Sequence, residues 1–432
     1  MVEERQLTPW SLRTPPLGTR RFFSLGAAAL VASFYIGTAD ITIATRMGSI
    51  FGFDLWWTYF VLGLAGWSLM DMSARYYLRF GRTPLSLFKE IHPAMSAYLL
   101  VTVVVTTVLG AYSQWNACAH VLGGLFPSLP TELAGSLACA AAILFICWGV
   151  YQRIEVLFAF VLFALLALFA FAAVAAGAPW SDAPAGLIPS LPPIEGGDEW
   201  RGLIQSNAGS LINAWLILIY PYTMVEKGWF SDRLPEKLTI LKRARLDYAI
   251  GIAAAGIVAL PLMAAAAAVA RPFGIVPSNY TEFAALLDPV AGRAATGFFL
   301  VGLFLAAWTA GVGWIVCGSY AILDVGNLKL QMRSVPFRIS LIVFGIASAA
   351  ILVLRVNPFY GIRIFAAFLS MVFPIVALAL VYRVSRSDMG YFRWWPGNWR
   401  GLLLLVLDLF AVVVSLYVGW GITLRVLAPL LS

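Results

Sequence analysis

Apolar runs of membrane-spanning length, separated by short polar or basic stretches, repeat along the whole chain. They fall at about 21–45, 51–78, 95–121, 132–150, 154–177, 203–228, 246–270, 293–322, 337–354, 360–383 and 400–427. A hydrocarbon core about 30 Å thick is crossed by roughly 20 apolar residues in a helix. The pattern therefore predicts an all-α integral membrane protein of about eleven transmembrane helices, with a short segment over 1–20 and one transmembrane domain over 21–432. Two runs are interrupted near their middles. In the first, Gly37-Thr38-Ala39-Asp40 puts small, helix-weak residues and a carboxylate at membrane depth. In the sixth, Tyr220-Pro221-Tyr222 breaks the run and Glu226-Lys227 follows. If the first five and the next five runs are two halves, about 21–177 and 203–385, the interrupted helices hold corresponding positions. That correspondence marks an inverted-repeat transporter with its site at the midplane. Pro221 taken alone has a plainer account as a membrane-helix kink. The last run, about 400–427, is then an extra C-terminal helix.

Composition narrows the class further. The 432 residues are 61% hydrophobic and 12% charged, which leaves no stretch polar enough for a soluble domain. The net charge of +8 does not point to nucleic acid, because the basic residues are scattered over short loops instead of forming a stripe. Arg79, Arg82, Lys89, Arg153, the cluster from Lys227 to Arg245, Lys329, Arg333, Arg338, Arg383, Arg386 and Arg393 occupy alternate connections. The longest connection on the other side, about 178–202, carries Asp182, Glu195, Asp198 and Glu199 against Arg201 alone. The bias predicts a multi-pass protein of the cell membrane with a cytoplasmic N-terminus. No small-residue cleavage site follows the basic N-terminal stretch, so it reads as the approach to the first span and not as a signal peptide. Cys118, Cys139, Cys147 and Cys317 lie in apolar runs without metal or redox spacing, as buried thiols would. His92 and His120 are isolated at segment ends. With no acidic cluster, nucleophile elbow or histidine pair, nothing points to an enzyme or to a bound cofactor.

Asp40 carries the chemistry. An ionisable group in hydrocarbon is costly and usually faces a cavity, a partner or a substrate, and unwound backbone is tolerated only where it lines such a space. A carboxylate there predicts a path for a small cation. Asp71 and Arg75 lie one helical turn apart, which fits an intrahelical ion pair better than a substrate contact.

Several stretches resemble the Nramp-type (natural resistance-associated macrophage protein) divalent metal transporters. These are Gly48-Ser49-Ile50-Phe51-Gly52-Phe53-Asp54-Leu55-Trp56 after the first helix, Ser73-Ala74-Arg75 at the end of the second, and Gly186-Leu187-Ile188-Pro189-Ser190-Leu191-Pro192 before the sixth. Leu286 to Gly292 and Leu369 to Pro374 resemble the approach to helix eight and part of helix ten. The resemblance runs over roughly 22–385 and implies a leucine-transporter-like fold of two inverted five-helix repeats, with one extra helix, working by alternating access. At the site the sequence leaves the family pattern. The family's Asp-Pro-Gly-Asn falls on Gly37-Thr38-Ala39-Asp40, so the carboxylate has moved by three residues. Its Met-Pro-His falls on Tyr220-Pro221-Tyr222, its acidic pair of helix three near Ala111 and Gln114, and its glutamine of helix ten near Ala366.

The substrate-binding residues expected from both lines of reasoning are Asp40, Gly37, Thr38, Gln114, Trp115, Asn116, Tyr220, Tyr222, Glu226 and Ala366. For Glu226, a surface ion pair with Lys227 is an equal alternative. Manganese and iron sites with selectivity use nitrogen or sulfur ligands, and none remains in the matched positions. The rings of Tyr35, Trp115, Trp215, Tyr220, Tyr222 and Trp229, set against one carboxylate, tilt the expectation toward a small organic cation held partly by cation–π attraction. The alternative is a divalent metal ion bound through Asp40, with Mg2+ ahead of Mn2+ or Fe2+. Uniport and symport remain equally open. The expected partners are the cation and the bilayer, with the monomer as the working unit.

Overall fold

The computed structural model describes residues 36–126, 128–148, 151–190, 199–212, 214–277, 280–354, 375–385 and 399–431. All regular secondary structure among them is helical. In order these are α1 (Thr38–Phe51), α2 (Trp57–Phe80), the short α3 (Pro84–Ile91), α4 (Pro93–Leu125), α5 (Thr131–Trp148) and α6 (Tyr151–Ala175). After a 3₁₀ segment at Trp180–Leu187 come α7 (Glu199–Leu211), α8 (Ala214–Glu226), α9 (Leu234–Val269), α10 (Tyr280–Val325) and α11 (Val335–Val353). The chain ends with α12 (Ile375–Ser385) and α13 (Trp399–Leu431). Among the described residues seven helices, α4, α5, α6, α9, α10, α11 and α13, are long and apolar enough to cross a membrane unaided. α2 carries Asp71, Arg75 and Arg79 within 24 residues. The sixth run is divided between α7 and α8, and the first and tenth runs lie partly outside the described residues. α10 is itself broken at Gly292, whose φ of 81° only glycine adopts freely, so its membrane-spanning part begins where the sequence places it.

α4 and α10 form the most extensive helix pair. Each offers a glycine to the other's tryptophan: a Cβ on Gly110 would stand 2.6 Å from the Trp314 ring, and one on Gly311 would stand 2.6 Å from the Trp115 ring. Helices in lipid gain little from hydrophobic burial against each other, so close approach at small residues supplies the attraction. α1 uses the same device, with Gly48 set directly against the Met263 backbone of α9. The extra helix α13 packs on α2 and α7. Cys118, Cys139 and Cys317 are buried free thiols, and Cys147 is half-buried and also free.

The breaks position the site, and one of them is not where the sequence suggests. The first helix begins at Thr38 after a bend at Ile36 and Gly37, so of the stretch Gly37 to Asp40 expected to be unwound only Gly37 lies outside the helix, and Thr38, Ala39 and Asp40 form its first turn. In the sixth run, α7 ends at Leu211 and α8 begins at Ala214, so the interruption precedes Tyr220-Pro221-Tyr222, which lies inside α8. A proline in a helix leaves the carbonyl four residues earlier without its donor. Here that carbonyl belongs to Ile217, and the Ser73 hydroxyl of α2 donates to it. A neighbouring helix thus supplies the bond Pro221 cannot make, and α8 runs through.

Candidate functional site

Gly37 caps α1 from outside in an extended conformation, and its N–H donates to Asp40 Oδ2 at 3.0 Å. A carboxylate in a first turn is stabilised by the orphan N–H groups and by the positive end of the helix dipole, which accounts for one of its oxygens. The other oxygen leaves the helix: Ser210, in the last turn of α7, donates its hydroxyl to Asp40 Oδ1. Asp40 therefore ties the start of one broken helix to the end of the other.

α4 closes a third side. The Thr38 N–H donates to Gln114 Oε1 at 3.4 Å, and Gln114 Nε2 donates to Ser113 Oγ at 3.4 Å. A Cβ on Gly37 would stand 3.5 Å from Gln114 Nε2 and 3.6 Å from the Ala310 Cβ of α10, which bounds the fourth side. Asp40 is half-buried beside the exposed Ala39. Among the described residues no lysine or arginine pairs with it. The side-chain groups at this junction offer oxygen and no sulfur or imidazole, and no group of three His, Cys, Asp or Glu forms a ready-made metal cage among the described residues.

Of the residues expected at the site, the structure brings Asp40, Gly37, Thr38 and Gln114 together and takes most of the others elsewhere. Trp115 is the knob that fills Gly311, and its indole N–H donates to Ser348 Oγ of α11 at 3.0 Å. Asn116 is half-buried two residues beyond Gln114, about 200° around the helix from it. The Tyr220 hydroxyl donates to the Ala244 carbonyl at 3.2 Å, and its ring meets Tyr248 edge-on at 5.1 Å. Tyr222 donates to Asp324 Oδ2 at 3.0 Å and stacks on Tyr320 at 5.3 Å. Glu226 does not pair with Lys227; it accepts from the Tyr320 hydroxyl at 2.7 Å and from the Met332 N–H at 2.6 Å. Lys227 instead pairs with Asp247 at 3.2 Å and lies 4.5 Å from the Trp229 ring centroid. Trp215 donates to Thr106 Oγ1 at 3.0 Å and packs edge-on against Trp314. Tyr35 and Ala366 lie outside the described residues.

The displacements of Tyr220, Tyr222 and Glu226 share one cause. Placing the sixth-helix break at Tyr220-Pro221-Tyr222 shifts the site along α8 by two turns, whereas the actual junction follows Asn207-Ala208-Gly209-Ser210. Ser210 is the contributor that sequence reasoning missed. The signal that could have found it is the polar, small-residue stretch Ser206 to Ser210, helix-weak in the same way as Gly37 to Asp40.

A second set of charges lies farther along α2. Asp71 pairs with Arg75 at 2.9 Å, as their spacing predicts, and also with Arg245 of α9 at 2.7 Å and with the Tyr248 hydroxyl at 2.7 Å. Arg75 pairs at 2.9 Å with Asp408 of α13, which also accepts from Ser68. Two carboxylates are matched by two guanidinium groups.

Comparisons with known proteins bear on the family and the fold. Residues 28–421 match the model of the family described as natural resistance-associated macrophage protein-like, Nramp. The divalent metal cation transporter MntH of Chromohalobacter salexigens is 22% identical over 374 residues, covering 84% of each chain. Among solved structures, the manganese transporter of Eremococcus coleocola, crystallised with an aromatic bis-isothiourea substituted compound, superposes with a TM-score of 0.73 at 13% identity, covering 94% of this chain and 92% of that one. MHP1, a nucleobase-cation-symport-1 family transporter, superposes with a TM-score of 0.61 at 14% identity, covering 94% and 93%. The fold is the leucine-transporter-like one, with broken first and sixth helices.

Proposed function

The chain belongs to the Nramp-like family of membrane transporters, and from that premise we propose that it carries a divalent metal ion by alternating access, with Asp40 at the centre of the substrate site. The observation that carries this reading is the junction itself. One half-buried carboxylate without a cationic partner among the described residues joins the two broken helices, with Gln114 alongside.

The small organic cation favoured by the aromatic residues gives way to the metal reading. Cation–π attraction needs ring faces at the charge, and the rings of Trp115, Trp215, Tyr220 and Tyr222 are engaged elsewhere with other helices. What remains at Asp40 is hard oxygen chemistry: the carboxylate, the Ser210 hydroxyl, the Gln114 amide oxygen, and carbonyls at the end of α7, where helix termini leave acceptors without helical partners. Such donors suit Mg2+, which is held through one or two carboxylates and keeps several of its waters. Softer ions such as Mn2+ or Fe2+ gain selectivity from nitrogen or sulfur, which these side chains do not offer.

α4 contains no aspartate or glutamate at all, so a proton-carrying pair on that helix has no counterpart. We therefore read the protein as a uniporter. The positive-inside distribution of loop charge supports a cytoplasmic N-terminus in the cell membrane. A negative-inside potential then favours import by about 2.3 kcal/mol per charge per 100 mV.

Purified protein in proteoliposomes tests the reading. Mg2+ uptake without lumenal acidification, absent in Asp40→Ala, is the expected result. Uptake of guanidinium or a quaternary ammonium in place of any divalent ion overturns it.

A further inference from the structure

Two polar atoms near Asp40 have no hydrogen-bond partner among the described residues although both are buried: the Tyr59 hydroxyl, on a residue 3% exposed, and Asn207 Oδ1, on a residue 1% exposed. Unpaired buried polar atoms are rare in native proteins, and each calls for an occupant. The orientation of Asn207 is set by its other amide atom, since Nδ2 donates to Thr58 Oγ1 at 2.9 Å while Thr58 donates to the Leu55 carbonyl at 2.6 Å. The atom left over, Oδ1, can only accept.

Position ties both atoms to the site. Asn207 precedes Ser210 by three residues and so shares its face of α7, one turn from the hydroxyl that donates to Asp40. Tyr59 follows Thr58, the residue that holds Asn207, on α2, and α1 and α2 both pack on α7. A carboxylate without a counter-cation and two unpaired oxygens thus lie around one junction of α1, α2 and α7.

We propose that Tyr59 and Asn207 are outer ligands of the substrate ion, accepting hydrogen bonds from water molecules that the ion keeps when it binds at Asp40. The proposal rests on Asp40 being the substrate site. Its chemistry follows from the donor inventory. Water bound to a divalent ion is polarised and donates strongly, and both oxygens can accept from it. A pocket built this way favours ions that hold their water, because the ion need not be stripped to bind.

Calorimetry on the purified full-length protein tests this with Mg2+, Mn2+ and hexamminecobalt(III). The six ammine ligands of the cobalt complex do not exchange, and their N–H groups imitate ion-bound water. Hexamminecobalt(III) is expected to bind the wild type and to compete with Mg2+. Asn207→Leu and Tyr59→Phe should each weaken both by about tenfold, the loss expected for a hydrogen bond to a charged partner. Asn207→Asp, which keeps an acceptor, should bind at least as well as the wild type. Tyr59→Phe keeps the ring, and an unchanged thermal midpoint for it separates lost binding from lost folding. Wild-type affinities for both ions in the folded Tyr59→Phe and Asn207→Leu proteins overturn the proposal, as does a hexamminecobalt(III) complex that fails to compete while Mg2+ binds. If neither Mg2+ nor Mn2+ binds the wild type, the substrate reading falls as well.

Discussion

Asp71 and Asp40 are carboxylates on consecutive helices, and their surroundings are opposite. Asp71 is fully buried and meets two guanidinium groups and a phenol, while Asp408 behind Arg75 completes a neutral set that spans α2, α9 and α13. Asp40 is half-buried and meets a backbone N–H and a serine hydroxyl, with no positive group among the described residues. Burying a charge is tolerated where it is paired and hydrogen-bonded. Asp71 is therefore complete as it stands and serves to lock three helices together. Asp40 is incomplete, and in the function proposed above the missing positive charge is what a transported cation brings.

Substitutions can break this contrast. Asp71→Ala should have the largest effect, because it takes from Arg245 its carboxylate and from Arg75 one of its two; breaking a buried ion pair from one side typically costs about 3–5 kcal/mol. Thermal unfolding in detergent would show a large fall in the midpoint, and a midpoint close to wild type would deny Asp71 its structural role. Asp40→Asn should do the reverse. Its midpoint should stay near wild type while Mg2+ affinity falls by about 100-fold or more, equivalent to about 2.7 kcal/mol. Calorimetry checks this, and a large loss of stability without loss of binding would place Asp40 in the same class as Asp71.

Smaller changes sharpen the boundary. Ser210→Ala removes one neutral donor to the Asp40 carboxylate and one candidate oxygen ligand. A change of about 1 kcal/mol, near fivefold in ion affinity, is expected from a titration of the folded variant. Arg46 and Glu199 join α1 to α7 at 2.6 Å with side chains 33% and 40% exposed, so water screens them. Glu199→Gln should shift the unfolding midpoint by less than about 1 kcal/mol allows, the smallest effect of the series. A large effect there would mean that α1 and α7 need this pair to stay together.

Much of this contrast is legible along the chain, and the unread part has a definite physical character. Asp40 stands out because a lone carboxylate in an apolar run is expensive wherever the run folds. Asp71 and Arg75 are readable as a pair because four residues make one helical turn. Arg245 and Asp408 are not, since they arrive from 174 residues beyond Asp71 and 333 beyond Arg75. Pro221 misleads for the same reason. It is the strongest helix-breaking signal in the sixth run, and only the Ser73 hydroxyl of another helix cancels it.

The aromatic residues show the limit most sharply. Trp115 adjoins Gln114 in sequence, yet Gln114 turns to the start of α1 and Trp115 into the glycine of a facing helix. Sequence alone determined the class of this protein, an all-α membrane transporter, and marked Asp40 as a carboxylate in an apolar run, because these depend on local apolarity, helical period and the cost of charge in lipid. Tertiary structure alone decided where the sixth helix breaks, which rings belong to the scaffold, and that Ser210 meets Asp40. Each of those depends on which helix lies opposite, and in a membrane the opposing helix is chosen by close packing over the whole bundle, not by neighbours along the chain.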